Sequence, residues 1–237
     1  MNFSVTGEHR QFFRTHQWIE CEAILSPSNL AMIDSEVMLV IQDRSTTLTS
    51  LPEEKAFGFG RDLWRQSSRL KKIFLQKGLA EIAAGLTEKS KLRFGYDQYF
   101  PSLPVASSLH MNLPAYRSFL DQTLCLQDMT SIQSPLCGAM LCIRSPENRE
   151  DEGKSASGIT QIFSRTPGNA VFFSPELMID FSVLKTLGSA AYVLLVYVSD
   201  PAVYYKQEGD PHCHALKQLG YHFGDRLKEH LHPTVYG

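Results

Sequence analysis

The densest group of metal-binding side chains lies near the C-terminal end of the sequence. After Pro211 the chain carries several histidines and one cysteine: His212, Cys213, His214, His222, His230 and His232. Imidazole and thiolate are ligands that suit Zn²⁺, so a zinc site is one hypothesis for this segment. These residues match no zinc-finger or HExxH pattern. A solvated surface segment is therefore the favoured interpretation.

A second group of polar side chains alternates with aromatic residues between Lys91 and Phe100, which read KLRFGYDQYF. This alternation is typical of a strand with one face in a pocket. The candidate pocket residues are Arg93, Tyr96, Asp97 and Gln98. In the alternative interpretation, Phe94 and Tyr96 face different layers and the charged side chains are solvated. The sequence supports the two interpretations about equally.

Other catalytic patterns are absent from the sequence. The glycines of Phe57-Gly58-Phe59-Gly60 are not followed by the second half of a P-loop or a dinucleotide fingerprint, so a flexible entry to a helix is favoured. No GxSxG elbow is present, and no cysteine stands in a context that suggests activation. The sequence therefore gives no support to a hydrolase.

The composition is that of an ordinary globular chain. Of the 237 residues, 43% are hydrophobic and 20% are charged, which is enough apolar material for a sizeable core. The formal net charge of -2 gives no field that would gather nucleic acid or an anionic membrane surface, so neither partner is expected. A small-molecule ligand stays open, and so does the oligomeric state.

The sequence also bears on the cellular compartment. No window approaches the ~18 consecutive apolar residues of a membrane span, and the first residues have no apolar core behind a basic start. The five cysteines are scattered, which favours reduced, buried thiols over a disulfide framework. These features predict a cytoplasmic protein.

The clearest helical periodicity lies before residue 90. Apolar residues between Leu51 and Leu86 form a stripe opposite basic residues, with a break between two helices expected at Gly78. Asn29 to Arg44 predicts another helix, which Ser26 can cap. We expect one domain over residues 1–237, with a mostly helical flank (1–90), a core of strands (91–200) and a C-terminal extension (201–237) that holds short helices at Ala215–Leu219 and Asp225–His230.

The main strand signals lie in the second half of the chain. Gly168 to Val198 reads as two strands joined by a connection, which we predict to form a hairpin. Its second strand, Ala190 to Val198, is almost wholly apolar, as expected of a buried strand. Cys137 to Ile143 and Leu120 to Met129 are further candidate strands. Helices followed by many short strands favour an α+β domain that closes into a barrel or sandwich.

Several of these segments resemble the phytanoyl-CoA dioxygenase-like group of Fe(II)/2-oxoglutarate oxygenases. The segments are KLRFGYDQYF, a lone His110 near a strand, LCGAMLCIRSPE, PGNAVFFSPELMI and AAYVLLVYV. Together they span roughly Lys91 to Val198. The resemblance implies a double-stranded β-helix, or jelly roll, with flanking N-terminal helices. It also implies an Fe(II) site and 2-oxoglutarate as the cosubstrate.

The resemblance assigns candidate metal ligands. In that group an H-x-D pair and a distal histidine hold the iron, because two imidazoles and a carboxylate leave the opposite face of the ion open. His110-Met111-Asn112 falls on the H-x-D pair, with Asn112 in place of the carboxylate. The distal position falls near Ile179, and a shift of one residue brings Asp180 there. The implied metal ligands are thus His110, Asn112 and Asp180.

The resemblance also assigns a cosubstrate site. In that group an arginine on the last strand pairs with the far carboxylate of 2-oxoglutarate. Ala190 and Ala191 stand at this position, and the nearest cation is Lys185. The candidates for cofactor or ligand binding are therefore Lys185 together with the strand residues Arg93, Tyr96 and Gln98.

Three functional hypotheses follow from the sequence. The first is a divergent non-haem iron/2-oxoglutarate oxygenase with an incomplete metal triad. The second is a catalytically inactive jelly-roll protein that binds a ligand or a partner and needs no cofactor. The third is a protein that binds zinc through the C-terminal histidines.

Overall fold

The N-terminal part of the chain is mostly helical, as expected. The computed structural model describes residues 3–47, 57–109, 113–145 and 162–237. Its N-terminal elements are α1 (Gly7–His16), β1 (Trp18–Cys21), α2 (Pro27–Thr47), 3₁₀ turns at Phe57–Gly60 and Leu63–Arg65, α3 (Ser68–Phe74) and α4 (Lys77–Thr87). Helix α1 begins with a capping box, because Thr6 and His9 each accept from the other's backbone N–H. The break between α3 and α4 falls at Leu75-Gln76 and not at Gly78.

The rest of the chain alternates strands with short helices. These elements are β2 (Leu92–Pro101), α5 (Leu103–Ser108), α6 (Leu113–Leu120), β3 (Thr123–Leu124), β4 (Pro135–Arg144), β5 (Ala170–Phe173), β6 (Ile179–Asp180), a 3₁₀ turn at Phe181–Lys185, β7 (Ala191–Ser199), a 3₁₀ turn at Ala215–Leu219 and β8 (Thr234–Tyr236). The strands predicted at KLRFGYDQYF, at Cys137–Ile143 and at the apolar run before Ser199 are confirmed as β2, β4 and β7.

One curled antiparallel sheet organises the molecule. Its strand order is β1-β5-β4-β7-β2-β8, and a separate two-stranded sheet pairs β3 with β6. The predicted hairpin between Gly168 and Val198 is wrong, because β4 lies between β5 and β7 and pairs with both. The outer strands β1 and β8 come from segments outside residues 91–200, so the helical flank and the C-terminal extension both complete the sheet.

Two further sequence expectations are wrong. Leu120 to Met129 is not one strand, because α6 continues to Leu120 and only Thr123–Leu124 is extended. Asp225–His230 forms turns and no helix, since Gly224 with a φ of 96° and the bridge between Val203 and Arg226 hold this stretch against its neighbours.

The two faces of the large sheet carry different partners. Directly opposed residues of neighbouring strands share a face, so Asp97 goes with Leu195, while Gln98 goes with Leu194. The face of Asp97 and Tyr99 lies towards the N-terminal helices, and we call it the helix face; Arg144 at its end contacts Tyr99 and Met38 of α2. The opposite face carries Tyr96, Gln98, Phe100 and Tyr192, and rings from α6, from the 3₁₀ turn at Phe181–Lys185 and from Phe163 pack on it; we call it the loop face.

Both faces are dry. In the described parts of the chain, the buried apolar residues form one continuous cluster that includes every residue of β7 from Ala191 to Val198. None of the described helices is both long and apolar enough to cross a membrane.

Candidate functional site

A buried arginine lies on the loop face, and it forms the centre of the candidate site. The Arg61 guanidinium stacks 3.8 Å from the centre of the Tyr96 ring and donates from Nε to Gln98 Oε1 at 2.9 Å. Its Nη2 donates to Asp210 Oδ1 at 3.2 Å. Thr130 hydrogen-bonds the Tyr96 hydroxyl at 2.7 Å. We call these residues the arginine site: Arg61, Tyr96, Gln98, Thr130 and Asp210.

Solvent is largely excluded from the arginine site. The side chains of Arg61 and Asp210 are 7% and 1% exposed, and Gln98 and Thr130 are also buried. Burial lowers the pKa of Arg61, but the charge and hydrogen bond of Asp210, together with Tyr96 and Asp62, more than offset this, so the pKa lies above the ordinary value and the group stays charged. Burial raises the pKa of Tyr96 to about 12, so its hydroxyl keeps its proton. A charged guanidinium such as that of Arg61 forms charge-assisted hydrogen bonds with a carboxylate.

The segment from Phe59 to Gln66 positions Arg61 against strand β2. Gly60 allows the close approach, because a Cβ there would lie 2.8 Å from Gln98 Nε2 and from the backbone oxygen of Tyr99. Arg44 of α2 holds the segment from the other side by donating to the backbone oxygens of Phe59 and Arg61 at 2.7 and 2.8 Å. Arg61 thus reaches the loop face from the segment Phe59 to Gln66, which we call the strap.

Asp97 fixes the same strap from the helix face. Its carboxylate accepts from the backbone N–H groups of Leu63 and Trp64 at 3.0 and 3.1 Å. Its backbone oxygen accepts from the backbone N–H of Asp62 at 2.9 Å. The side chain is fully buried, and this burial raises the pKa of Asp97 to about 7, with the nearby charge of Asp62 adding to the rise. The two backbone donors and Arg44 act in the opposite direction.

We expect the stability of the protein to depend on pH through Asp97. The folded pKa lies above the ordinary carboxyl value, so the folded state holds the proton more tightly and stability falls as pH rises from about 4 to about 7. In Asp97→Asn this pH-dependent loss is absent. The difference in the free energy of unfolding between wild type and Asp97→Asn should therefore become smaller between pH 5 and pH 7. Urea unfolding across that range measures the difference.

Asp200→Asn is the matched control for this titration. The hydrogen bond from Lys91 and the charge of Arg93 lower the pKa of Asp200, so its own titration lies below the tested window. The difference in the free energy of unfolding between wild type and Asp200→Asn should be constant from pH 5 to pH 7. If the difference in the free energy of unfolding between wild type and Asp97→Asn is also constant over this range, Asp97 does not titrate near neutrality.

Aromatic rings fill the loop face beyond the arginine site. Phe181 lies at the centre, with ring centroids 5.2 Å from Phe100, 4.7 Å from Phe119 and 6.1 Å from Phe163. The Phe163 ring in turn packs 5.1 Å from Tyr192, whose hydroxyl donates to the backbone oxygen of Ser164. Each of these rings is at most 6% exposed. We call Phe100, Phe119, Phe163, Phe181 and Tyr192 the aromatic cluster.

The structure places the predicted pocket residues in different surroundings. Tyr96 and Gln98 both belong to the arginine site, and Asp97 lies on the helix face. Arg93 is at the sheet edge, where it pairs with Asp200 at 2.7 Å and Glu229 at 2.6 Å. A register shift between Phe94 and Tyr96 separates Arg93 from the residues that follow. Asp97 is fully buried, and Arg93 is half-buried in its two ion pairs.

The predicted metal ligands are only partly visible. His110 and Asn112 lie outside the described residues, so their assignment stays a prediction. Asp180 caps the 3₁₀ turn that follows it, since its Oδ1 accepts from Ser182 N at 2.9 Å. Lys185 pairs with Asp121 on the surface.

The C-terminal histidines do not converge on a metal site. His232 is buried, with Nδ1 2.9 Å from the Tyr221 hydroxyl and Nε2 3.2 Å from Arg65 Nη2. Burial, with Arg65 and Arg93 nearby, lowers its pKa to about 3, so this ring is neutral and engaged at both nitrogens. No group of three metal-binding side chains occurs among the described residues, which include the whole chain after Ile162. The described residues thus give no support to the zinc hypothesis for this segment.

The described residues do not fit Fe(II) and 2-oxoglutarate at the positions that the resemblance assigns. Ile179 is fully buried at the distal position, and the next carboxylate, Asp180, is used as a cap. Ala190 and Ala191 are fully buried where a cosubstrate arginine is expected. The aromatic cluster includes the neighbours of both positions, Phe181 and Tyr192. We therefore derive no reaction step through either group.

Arg61 and Asp210 were missed by the sequence analysis. They are 149 positions apart, and neither belongs to a recognisable motif. The one local signal is Gly60 beside Arg61, which we interpreted as a flexible helix entry and which in the structure permits close packing on β2.

Comparison with solved structures identifies the fold. Similar proteins are the non-heme alpha-ketoglutarate-dependent carbocyclase SnoK from nogalamycin biosynthesis (TM-score 0.62, 12% identity, 97% of this chain and 96% of SnoK covered) and the epimerase SnoN with Fe³⁺, alpha-ketoglutarate and nogalamycin RO (0.61, 11%, 95% and 96%). CytC3 with Fe(II) and alpha-ketoglutarate is also similar (0.59, 14%, 100% and 88%). No family model and no curated protein matches the chain. The chain thus shares the fold of these non-haem iron enzymes at low sequence identity.

Proposed function

We propose that this protein is a binding protein built on the jelly-roll fold of the non-haem iron/2-oxoglutarate oxygenases, and that it does not run their standard reaction. The observation that carries the proposal is the aromatic cluster. Its rings occupy the loop face beside Ile179, Asp180, Ala190 and Ala191, the positions where iron and cosubstrate would be held. A filled, apolar interior leaves no room there for a dicarboxylate and cannot stabilise its charge.

The jelly-roll assignment rests on two features. The β3–β6 pair forms a second, smaller sheet, and β4 is inserted between β5 and β7. Both features are compatible with the phytanoyl-CoA dioxygenase-like resemblance, and SnoK and SnoN match the chain with TM-scores of 0.62 and 0.61. In this assignment the loop face is the interior of the jelly roll, and the arginine site is its polar part.

A divergent iron oxygenase is the second candidate. Its support is that the alpha-ketoglutarate-dependent SnoK, and SnoN and CytC3 in complex with alpha-ketoglutarate, match over at least 88% of their own lengths. In this candidate His110, Asn112 and Asp180 hold the metal. Asp180 would then have to serve the iron as well as the 3₁₀ turn that it caps.

Succinate formation separates the two candidates. Purified protein is mixed anaerobically with Fe(II) and 2-oxoglutarate and then exposed to O₂. We expect no succinate above a protein-free control, because Ala190 and Ala191 stand where the resemblance places the arginine that anchors the cosubstrate. Succinate production by wild type that is lost in His110→Ala would establish the oxygenase and refute the binding-protein proposal. The Phe12→Ala variant, which alters an exposed ring far from β6 and β7 in sequence, is the matched control.

A further inference from the structure

The arginine site has the donors of a carboxylate receptor. Asp210 Oδ1 accepts from Arg61 Nη2 at 3.2 Å and from the backbone N–H of His212 at 2.9 Å. Its Oδ2 accepts from the backbone N–H of Ser131 at 2.9 Å. Of these donors, Arg61 and Ser131 belong to elements other than the turn that carries Asp210. A guanidinium and a backbone amide aimed at two oxygens suit any carboxylate, whether it comes from the chain or from a ligand.

The carboxylate that fills this receptor comes from a surface turn. Among residues 206–215, all of which the structure describes, Asp210 alone is buried, and the others are exposed or half-exposed. The turn is held by Cys213 N donating to the backbone oxygen of Asp210 at 3.0 Å and by the Tyr204 hydroxyl donating to that of Cys213. Moving the turn outwards would therefore expose little apolar surface.

Two further observations concern the immediate surroundings of the carboxylate. Ser131 is 3% exposed, and its Oγ has no hydrogen-bond partner among the described residues, although its backbone N–H binds Asp210. A buried hydroxyl without a partner is costly unless another polar atom uses it. Gly209 sits so close to Asp128 that a Cβ would lie 2.6 Å from the Asp128 backbone oxygen. The position of the turn thus depends on glycine at 209.

We propose that the arginine site is a receptor for a small carboxylate ligand and that Asp210 occupies it as an internal competitor. The ligand carboxylate replaces that of Asp210 on Arg61 and on the Ser131 N–H, and the turn at 206–214 moves out. The inference rests on the proposed binding function and names its ligand class. Removing the competitor or loosening its turn raises the apparent affinity, because less of the binding free energy is used to displace Asp210.

Acetate is the probe that tests this receptor. We expect acetate, but not acetamide or chloride at equal ionic strength, to speed hydrogen exchange in the segment 206–214 of the wild type. By calorimetry, Gly209→Ala and Asp210→Asn should bind acetate about tenfold more tightly than wild type. Asp200→Asn, which loses a carboxylate elsewhere on the surface, should match wild type.

The combined variant Arg61→Gln/Gly209→Ala should lose the gain in affinity. Exchange of the turn that does not respond to acetate, together with equal affinities in Gly209→Ala and wild type, would overturn the inference. Gly209→Ala keeps every receptor side chain, so it tests the inference even where Asp210→Asn fails to fold. Acetate is not converted to succinate, so this result is independent of the oxygenase assay.

Discussion

Arg61→Ala is expected to lower the free energy of unfolding by about 3–5 kcal/mol, the cost of removing one partner from a buried ion pair. The loss has two sources. Asp210 is left as a charge in a dry site, where its side chain is 1% exposed, and Tyr96 loses the guanidinium that stacks on its ring. Chemical unfolding of wild type and variant at pH 7 measures the difference.

A double-mutant cycle separates the ion pair from the loss of packing. If Arg61 and Asp210 act on each other, the double variant Arg61→Ala/Asp210→Ala should differ from additivity by about 0.5–3 kcal/mol, with a total loss smaller than the sum. Arg14→Ala is the matched control, because Arg14 pairs with Glu88 on the surface and both side chains are about half exposed. It should change stability little. Additive losses at Arg61 and Asp210 would show that the pair is not coupled.

Phe181→Ala is expected to destabilise the protein by about 3–5 kcal/mol. Phe181 is fully buried and packs against the rings of Phe100, Phe119 and Phe163, so alanine would leave a cavity at the centre of the aromatic cluster. Thermal and urea unfolding should both report the loss.

An exposed ring gives the comparison for Phe181. Phe12 is 40% exposed, and Phe12→Ala should cost less than about 1 kcal/mol. A loss in Phe181→Ala as small as that in Phe12→Ala would mean that the loss of the Phe181 ring can be accommodated without a cavity. The proposal of a filled interior would then lose its main support.

The strands at the centre of the fold could be predicted because their local signals are strong. The apolar run of β7 and the alternation in β2 were both found. Strand β2 carries Tyr96, Gln98 and Phe100, and β7 carries Tyr192. The pairing of strands could not be predicted. A hairpin between β5 and β7 was expected from their closeness in sequence, whereas hydrogen bonding across β4 is decided by long-range packing.

For a related reason, the sequence pattern predicted only part of the candidate site. Alternation correctly grouped Tyr96 with Gln98, but it also drew in Asp97, which faces the other way, and Arg93, which a register shift separates from them. Arg61 and Asp210 were not found, because sequence gives no indication of which charged residues are buried. Charged residues are rarely buried unless they are paired, and this pair joins segments 149 positions apart.

Iron binding in solution distinguishes a binding protein from an iron oxygenase. The protein is loaded anaerobically with Fe(II) and 2-oxoglutarate, passed over a desalting column under the same atmosphere and analysed for bound metal. We expect iron well below one equivalent per chain, with the same value in wild type and in His110→Ala. One iron per wild-type chain, lost in His110→Ala, would show that the protein keeps the metal site of an oxygenase.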